Sequence, residues 1–292
     1  MCIKSLLYAA RERNLNLKII ALVRDENKAS QRFKGELKTG NLKLVSGNVE
    51  KLPIVFDGID YIIHAASNTA SKDFVEHPVE TIRTSVVGTE NVLQLALDKH
   101  IKGLVYLSSM EVYGYPERGH KVTENEIGAL SPQDVRNSYP LAKQLCESLI
   151  CAYAREYNVP GKIIRLTQTF GAGVSEKDNR IFAYFLKCAA LKQDIILRTK
   201  AETERSYLYT TDAVTAILTV LLKGKSGHAY NAADEKTYCS IAEMAGKVAK
   251  DAGISVRYEI QDESTNGFPQ TLYMDLSTAL LQSLGWYPMR IL

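Results

Sequence analysis

Short runs that are apolar on both faces, alternating with longer stretches of helical periodicity, constrain this chain most. "LKIIALVRD" (17–25), "LKLVSG" (42–47), "DYIIHAAS" (60–67), "GLVYLSS" (103–109) and "KIIRLTQT" (162–169) are rich in β-branched and aliphatic residues. A strand apolar on both faces must be covered on both, as in a parallel sheet flanked by helices. Helical patterns occupy the intervals at 1–14, roughly 75–99 and 138–156. The alternation predicts a doubly wound α/β fold.

The last third reads differently. "NRIFAYFLKCAALK" (179–192), "TTDAVTAILTVLLKG" (210–224) and "SIAEMAGKVAKDAG" (240–253) are helical patterns separated by short strands such as "DIILRT". The division expected is a main domain over 1–170 and a smaller α/β lobe over 171–292, with some of its segments returning to the first. One part of a doubly wound sheet is not found. Such sheets that hold a dinucleotide open with a strand, a glycine-rich turn and a helix. This chain opens inside what reads as that helix, so the expectation is a first strand and glycine loop lost to a misassigned start or a truncation.

Composition excludes several classes. Lys and Arg number 36 against 33 Asp and Glu, and the basic residues do not cluster. A net charge of +3 gives no reason to expect nucleic acid. No apolar run reaches the length of a membrane span. The opening "MCIKSLLYAARERNLNLK" is too charged for a secretion signal. Cys2, Cys146, Cys151, Cys188 and Cys239 are odd in number, lack metal-ligand spacing and sit among apolar neighbours. Reduced thiols in a cytoplasmic protein, with no metal site, are expected.

The chemistry concentrates in "NSYPLAK" (137–143). Tyr139 and Lys143 are four apart, which places them on one helical face. A phenol has a reference pKa of about 10 and needs a nearby cation to act as an acid–base at neutral pH. Lys143 supplies that cation and can also donate to a ribose. "LSSMEVYG" (107–114) adds a hydroxyl at a strand's carboxyl end, where open α/β sheets bind ligands. The reaction class expected is proton transfer by Tyr139 coupled to hydride transfer with nicotinamide.

Taken together, the motifs are similar to those of the extended short-chain dehydrogenase/reductases, the nucleotide-sugar epimerase/dehydratase family. The resemblance runs through "IIHAAS", "SVVGTENVLQLAL", "VYLSSMEVYG", "SYPLAK", "IIRLTQTFGAG", "RSYLYTTDAV", "AYNAADEKTYCSI" and "DLSTALLQSLGWYP", in the family's order. It implies a Rossmann-like fold and a bound NAD or NADP. By this resemblance Tyr139 is the catalytic acid–base. Lys143 binds the nicotinamide ribose, and Ser109 holds the reacting oxygen. Ala65 and Ala66 would line the cofactor. Ser85 stands where the family has Asn, and Asn48 replaces the Asp near adenine. Arg205 would grip the substrate's diphosphate, Gln168 replaces an Asn that contacts substrate, and Arg180 is either a further phosphate contact or a solvated helix start. A homodimer through the helices at 75–99 and 138–156 is implied, as is a nucleotide-diphosphate sugar substrate.

Three departures bear on the reaction. The family's 4,6-dehydratases follow the hydroxyl residue with Asp and Glu, whereas this chain has Met110 and Glu111. Met110 cannot donate a proton, which leaves 4-epimerisation ahead of 4,6-dehydration. Glu111 could abstract a proton beside a 4-keto group, and could also serve a decarboxylase or a C3/C5 epimerase, or simply cap or bridge a loop. "DESTNGFPQTLYMD" (262–275) lacks a second phosphate-gripping arginine. In "ALVRDEN" (21–27), Arg24 follows the second strand's end, which leans toward NADP; Asp25 could still reach a ribose or instead cap the next helix. The alternatives are a keto-sugar or carbonyl reductase using NADPH, and a member that binds without catalysis.

Overall fold

The computed structural model describes residues 1–53, 56–69, 71–173, 178, 180–260 and 270–290. In chain order its elements begin α1 (Cys2–Glu12), β1 (Ile19–Val23), α2 (Glu26–Arg32), α3 (Lys34–Leu37), β2 (Leu42–Ser46), β3 (Tyr61–His64), α4 (Ser71–Glu76) and α5 (Pro78–Asp98). They continue with β4 (Gly103–Ser109), β5 (Lys121–Val122), α6 (Ser138–Glu156), β6 (Gly161–Leu166), β7 (Gln168–Phe170), α7 (Ile181–Leu191), β8 (Ile195–Leu197) and β9 (Glu204–Tyr209). The last are α8 (Thr210–Lys223), β10 (Ala229–Ala232), β11 (Asp234–Ser240), α9 (Ile241–Ala252), β12 (Val256–Tyr258), β13 (Tyr273–Leu276) and α10 (Ala279–Ser283).

The chain divides into two compact units, each built from three stretches. The first comprises Met1–Val112, Ala129–Arg165 and Val214–Tyr230; the second comprises Tyr113–Gly128, Leu166–Ala213 and Asn231–Leu292. The sequence reading placed the division at 170/171; here it falls at Leu166, and residues 113–128 join the second unit.

The first unit holds the doubly covered strands. β1 and β2 pair in parallel, from Ile19 opposite Leu42 to Val23 opposite Ser46. A separate ladder runs in the order β10-β6-β4-β3, and β3 pairs with β4 in parallel, with His64 opposite Tyr106. Among the described residues no strand precedes α1, and none joins the two ladders. The core gathers Leu93 and Ala96 of α5, Leu104 and Tyr106 of β4, Cys146 and Ile150 of α6, and Ile163 of β6. Helix starts follow local chemistry. Pro78 opens α5, where its missing N–H costs no hydrogen bond. Asp25 caps α2 by accepting from Lys28 N at 2.9 Å. β6 departs from a purely apolar strand: Lys162 and Arg165 are both buried, and Lys162 Nζ donates to Leu221 O at 3.0 Å.

The second unit is mixed. Its larger sheet runs β11-β9-β13-β5 with β7 on β9, and β8 pairs with β12. β9 is parallel to β7 and β13 but antiparallel to β11, where the register shifts between Asp234 and Cys239. α7 and α9 cover a core of Phe182, Phe185, Ile195, Tyr207, Met244 and Ala245. α9 carries a reciprocal capping box between Ser240 and Glu243 and ends on left-handed Gly253. Of "DESTNGFPQTLYMD", residues 262–269 lie outside the described residues, as does Asn179 at the start of "NRIFAYFLKCAALK". The five cysteines are free; Cys146, Cys188 and Cys239 are buried, whereas Cys151 is exposed. No described helix is long and apolar enough to cross a membrane.

Candidate active site

In the first unit, the carboxyl end of β4 and the first turn of α6 bring three of the predicted residues together. Ser109 is the last residue of β4, and Tyr139 and Pro140 lie in the first turn of α6. A proline fits there because the first N–H groups of a helix have no partner within it. The Ser109 hydroxyl favours the ionised form of Tyr139 and accepts from the backbone N of Glu111 at 3.2 Å.

Tyr139 is buried. Its ring lies parallel to that of Phe74, 4.3 Å between centroids and 3° between planes. Burial pushes the phenol's pKa well above its ordinary value, and the Glu111 carboxylate adds to the rise. The Ser109 hydroxyl and the Arg136 charge act the other way. The sequence reading expected Lys143 to lower the phenol, and here the balance is reversed. The Lys143 ammonium sits 5.5 Å from the Tyr139 ring centroid and donates to Leu107 O at 2.7 Å, on strand β4. It also faces the Tyr106 ring at 4.5 Å. Burial draws Lys143 down to about 8, with Cys146 and Glu147 opposing.

Glu111 is held rather than free. Arg136 Nη2 donates to Glu111 Oε2 at 3.1 Å, and the same guanidinium lies 4.9 Å from the Phe74 ring centroid. Met110 is buried beside it.

The residues assigned to cofactor occupy the same unit with differing engagement. Arg24 is exposed at the end of β1. Asp25 caps α2 through Oδ1, which accepts from Lys28 N at 2.9 Å. Asn48 is exposed and accepts from Glu50 N at 3.1 Å, closing a turn. Ala65 is exposed and Ala66 packs on the core. Ser85 is buried in α5, its hydroxyl 3.3 Å from that of Ser67 and its carbonyl accepting from Cys146 Sγ at 3.2 Å. A nicotinamide ribose fits this chemistry: an ammonium has three donors, and one of Lys143's goes to Leu107 O.

The substrate candidates lie in the second unit. Gln168 opens β7 opposite Tyr207 of β9. Arg205 stands on β9 with its guanidinium 5.9 Å from the Tyr207 ring centroid. Its Nε is buried with no hydrogen-bond partner among the described residues, and a buried donor left so calls for an acceptor. Arg180 is differently placed. Asp178 grips it through Nε at 3.0 Å and Nη2 at 2.6 Å, Nη1 donates to Thr169 O, and the guanidinium lies 4.7 Å from the Phe182 ring centroid. Its charge is matched locally at the start of α7, the helix-start alternative.

Sequence reasoning missed Phe74, Arg136, Glu147 and His64. Glu147 had a signal: 139, 143 and 147 repeat every four residues on one face of α6. Phe74 and His64 had none, because only the fold brings them to the site.

A family model described as "NAD dependent epimerase/dehydratase family" matches residues 6–233. UDP-glucuronic acid decarboxylase 6 of Arabidopsis thaliana is 30% identical over 238 residues, 80% of this chain and 66% of that protein. UDP-glucuronic acid decarboxylase 1 of Xenopus tropicalis is 28% identical over 252 residues, 85% of this chain and 57% of that protein. The chain therefore spans about three fifths of the length of these relatives. Among solved structures, a dTDP-glucose 4,6-dehydratase from Streptomyces venezuelae with NAD and TYD bound matches with a TM-score of 0.79 and 21% identity, covering 99% of this chain and 88% of that one. A UDP-glucose 4-epimerase from Thermotoga maritima with UDP-glucose matches at 0.78 and 17%, covering 99% and 90%. These likenesses show the fold, a Rossmann-like α/β architecture on a parallel sheet.

Proposed function

Because the chain belongs to the NAD dependent epimerase/dehydratase family, we propose that it acts on a nucleotide-diphosphate sugar through a 4-keto intermediate. The observation that carries this is the convergence of Ser109, Tyr139 and Lys143 at the end of β4. Tyr139 accepts the proton of the sugar hydroxyl. Ser109 holds the same oxygen as it becomes a carbonyl. Lys143 supplies positive charge beneath the ring and donates to the cofactor ribose. A nicotinamide bound there would take up the hydride and return it within one turnover. Arg205 is assigned the substrate's diphosphate, supported by its buried Nε.

Return of hydride to the opposite face of the keto-sugar completes a 4-epimerisation and needs no further acid. Elimination of water across C5 and C6 needs a donor that Met110 lacks, so epimerisation is favoured over 4,6-dehydration. A second reading is supported by the Glu111–Arg136 pair and by the decarboxylase relatives. On a uronic acid, a 4-ketone lies β to the C6 carboxylate; the C5–C6 bond breaks to release carbon dioxide, and C5 takes up a proton. Arg136 would offset the charge of a sugar carboxylate brought near Glu111.

The cofactor is proposed to be tightly held NAD or NADP, and Arg24, exposed at the end of β1, supports a slight lean to NADP. Purified protein should release one dinucleotide on denaturation, identified by mass. Incubation with UDP-glucose and with UDP-glucuronic acid, followed by NMR, then separates a 4-epimer from a pentose plus carbon dioxide. Bound dinucleotide with no turnover of nucleotide sugars would overturn the proposal.

A further inference from the structure

Behind the reacting face lies a buried ion pair that the chemistry above does not use. Glu147 is one turn beyond Lys143 on α6. Its Oε1 accepts from Ser108 Oγ at 2.5 Å and from Arg165 Nε at 3.0 Å, and its Oε2 accepts from Arg165 Nη2 at 2.6 Å. The two side chains are 7% and 5% exposed. Ser108 is the residue before Ser109, and Arg165 belongs to β6, the neighbour of β4. One carboxylate thus ties α6, β4 and β6 together within the first unit. Stability is a weak reason for such a pair, since well-packed apolar replacements of buried ion pairs are often neutral or stabilising.

We propose that Glu147, clamped by Arg165, is a positioning residue: it fixes the carboxyl end of β4 through Ser108 and is the buried anion that sustains the charge of Lys143. The titratable groups facing Lys143 are His64 from β3, Tyr106 from β4, and Tyr139, Cys146 and Glu147 from α6, with Arg165 of β6 acting through Glu147. His64 is buried and neutral, and Cys146 is a buried thiol pushed up by burial. That leaves Glu147 as the carboxylate set against the desolvation of Lys143. The inference rests on Lys143 serving as an ammonium in the proposed reaction, but its test needs no substrate.

The test follows the Lys143 side chain by 13C/15N NMR across pH, with its signal assigned by loss in Lys143→Arg. Glu147→Gln should weaken Lys143 proton affinity at least threefold, moving its midpoint to lower pH. Arg165→Met should strengthen it, because the cation that offsets Glu147 is gone. Should either variant fail to fold, the apolar double replacement Glu147→Leu with Arg165→Met decides, with a lowered midpoint expected. A purely structural pair would leave the midpoint within threefold of wild type, or shift it in the same direction in both single variants; either result overturns the proposal. Absence of turnover with any nucleotide sugar would sink the proposed reaction while leaving this readout intact.

Discussion

Tyr139 is a buried phenol whose proton is harder to remove than that of a free tyrosine, and its neighbours show why. Desolvation dominates, and Glu111 adds like charge to the phenolate. Ser109 and Arg136 are the groups that favour ionisation. Replacing Tyr139 by Phe removes the proposed proton acceptor while keeping the ring against Phe74. Turnover should fall by roughly 10²–10⁴-fold or more, with dinucleotide binding nearly unchanged by fluorescence titration. Activity retained in that variant would refute the assigned acid–base role. Glu111→Gln should act in the opposite sense on the phenol, allowing Tyr139 to ionise at lower pH. A shift of the acid limb of the pH–rate profile to lower pH would show it.

At the scale of elements, two positions report how the strands and helices of the first unit are locked. His64 closes β3 with Nε2 3.0 Å from Thr89 Oγ1 of α5 and its ring 5.2 Å from that of Tyr106. Burial, aided by the Lys143 charge, lowers its pKa to about 3. The unfolded chain therefore binds a proton there below pH 6.5 that the folded chain refuses. Stability rises with pH across that window and is lost as pH falls from about 6.5 toward 3. At pH 5 the loss from this one group should be about 2 kcal/mol. Urea unfolding at pH 7 and pH 5 should show it, and His64→Phe should flatten that part of the slope. The second position is Gly88, in the middle of α5. A Cβ there would stand 2.6 Å from Val49 Cγ1. Val49 is buried and β-branched, so it cannot readily turn aside. Gly88→Ala should destabilise by about 1–3 kcal/mol despite its better helix propensity, read as a lower midpoint in thermal unfolding at pH 7.

At the scale of the whole molecule, the expectation is association of two copies. α5 exposes Val79 and Ile82, and α6 exposes Leu145. If a second copy packs on these two helices, as the family resemblance implies, these side chains are the ones it would cover. Light scattering at micromolar concentration should give twice the chain mass of 32.5 kDa, and charged replacements at Val79 and Leu145 should halve it. A monomer in the unaltered protein would reject the dimer.

Several elements, and the positions of Ser109, Tyr139 and Lys143 on them, could be read from the chain alone. β2 and β4 fall within the runs at 42–47 and 103–109, and α6 spans 138–156, because burial on both faces leaves a compositional trace that needs no partner to be read. Tyr139 and Lys143 were legible because a helix turns that spacing into a shared face. Ser109 was legible because strand ends are where such sheets bind. Their surroundings came from the fold. Ser108, Glu147 and Arg165 are 39 and 18 residues apart along the chain, and local periodicity carries no information about such pairings. The same holds for Phe74 against Tyr139. It also holds for Arg136, which turns Glu111 from a free carboxylate into half of an ion pair. Even the sign of the shift at Tyr139 was a tertiary fact. Spacing announced a nearby cation, but the depth of burial and the Glu111 carboxylate set the balance, because desolvation depends on every atom packed around a group.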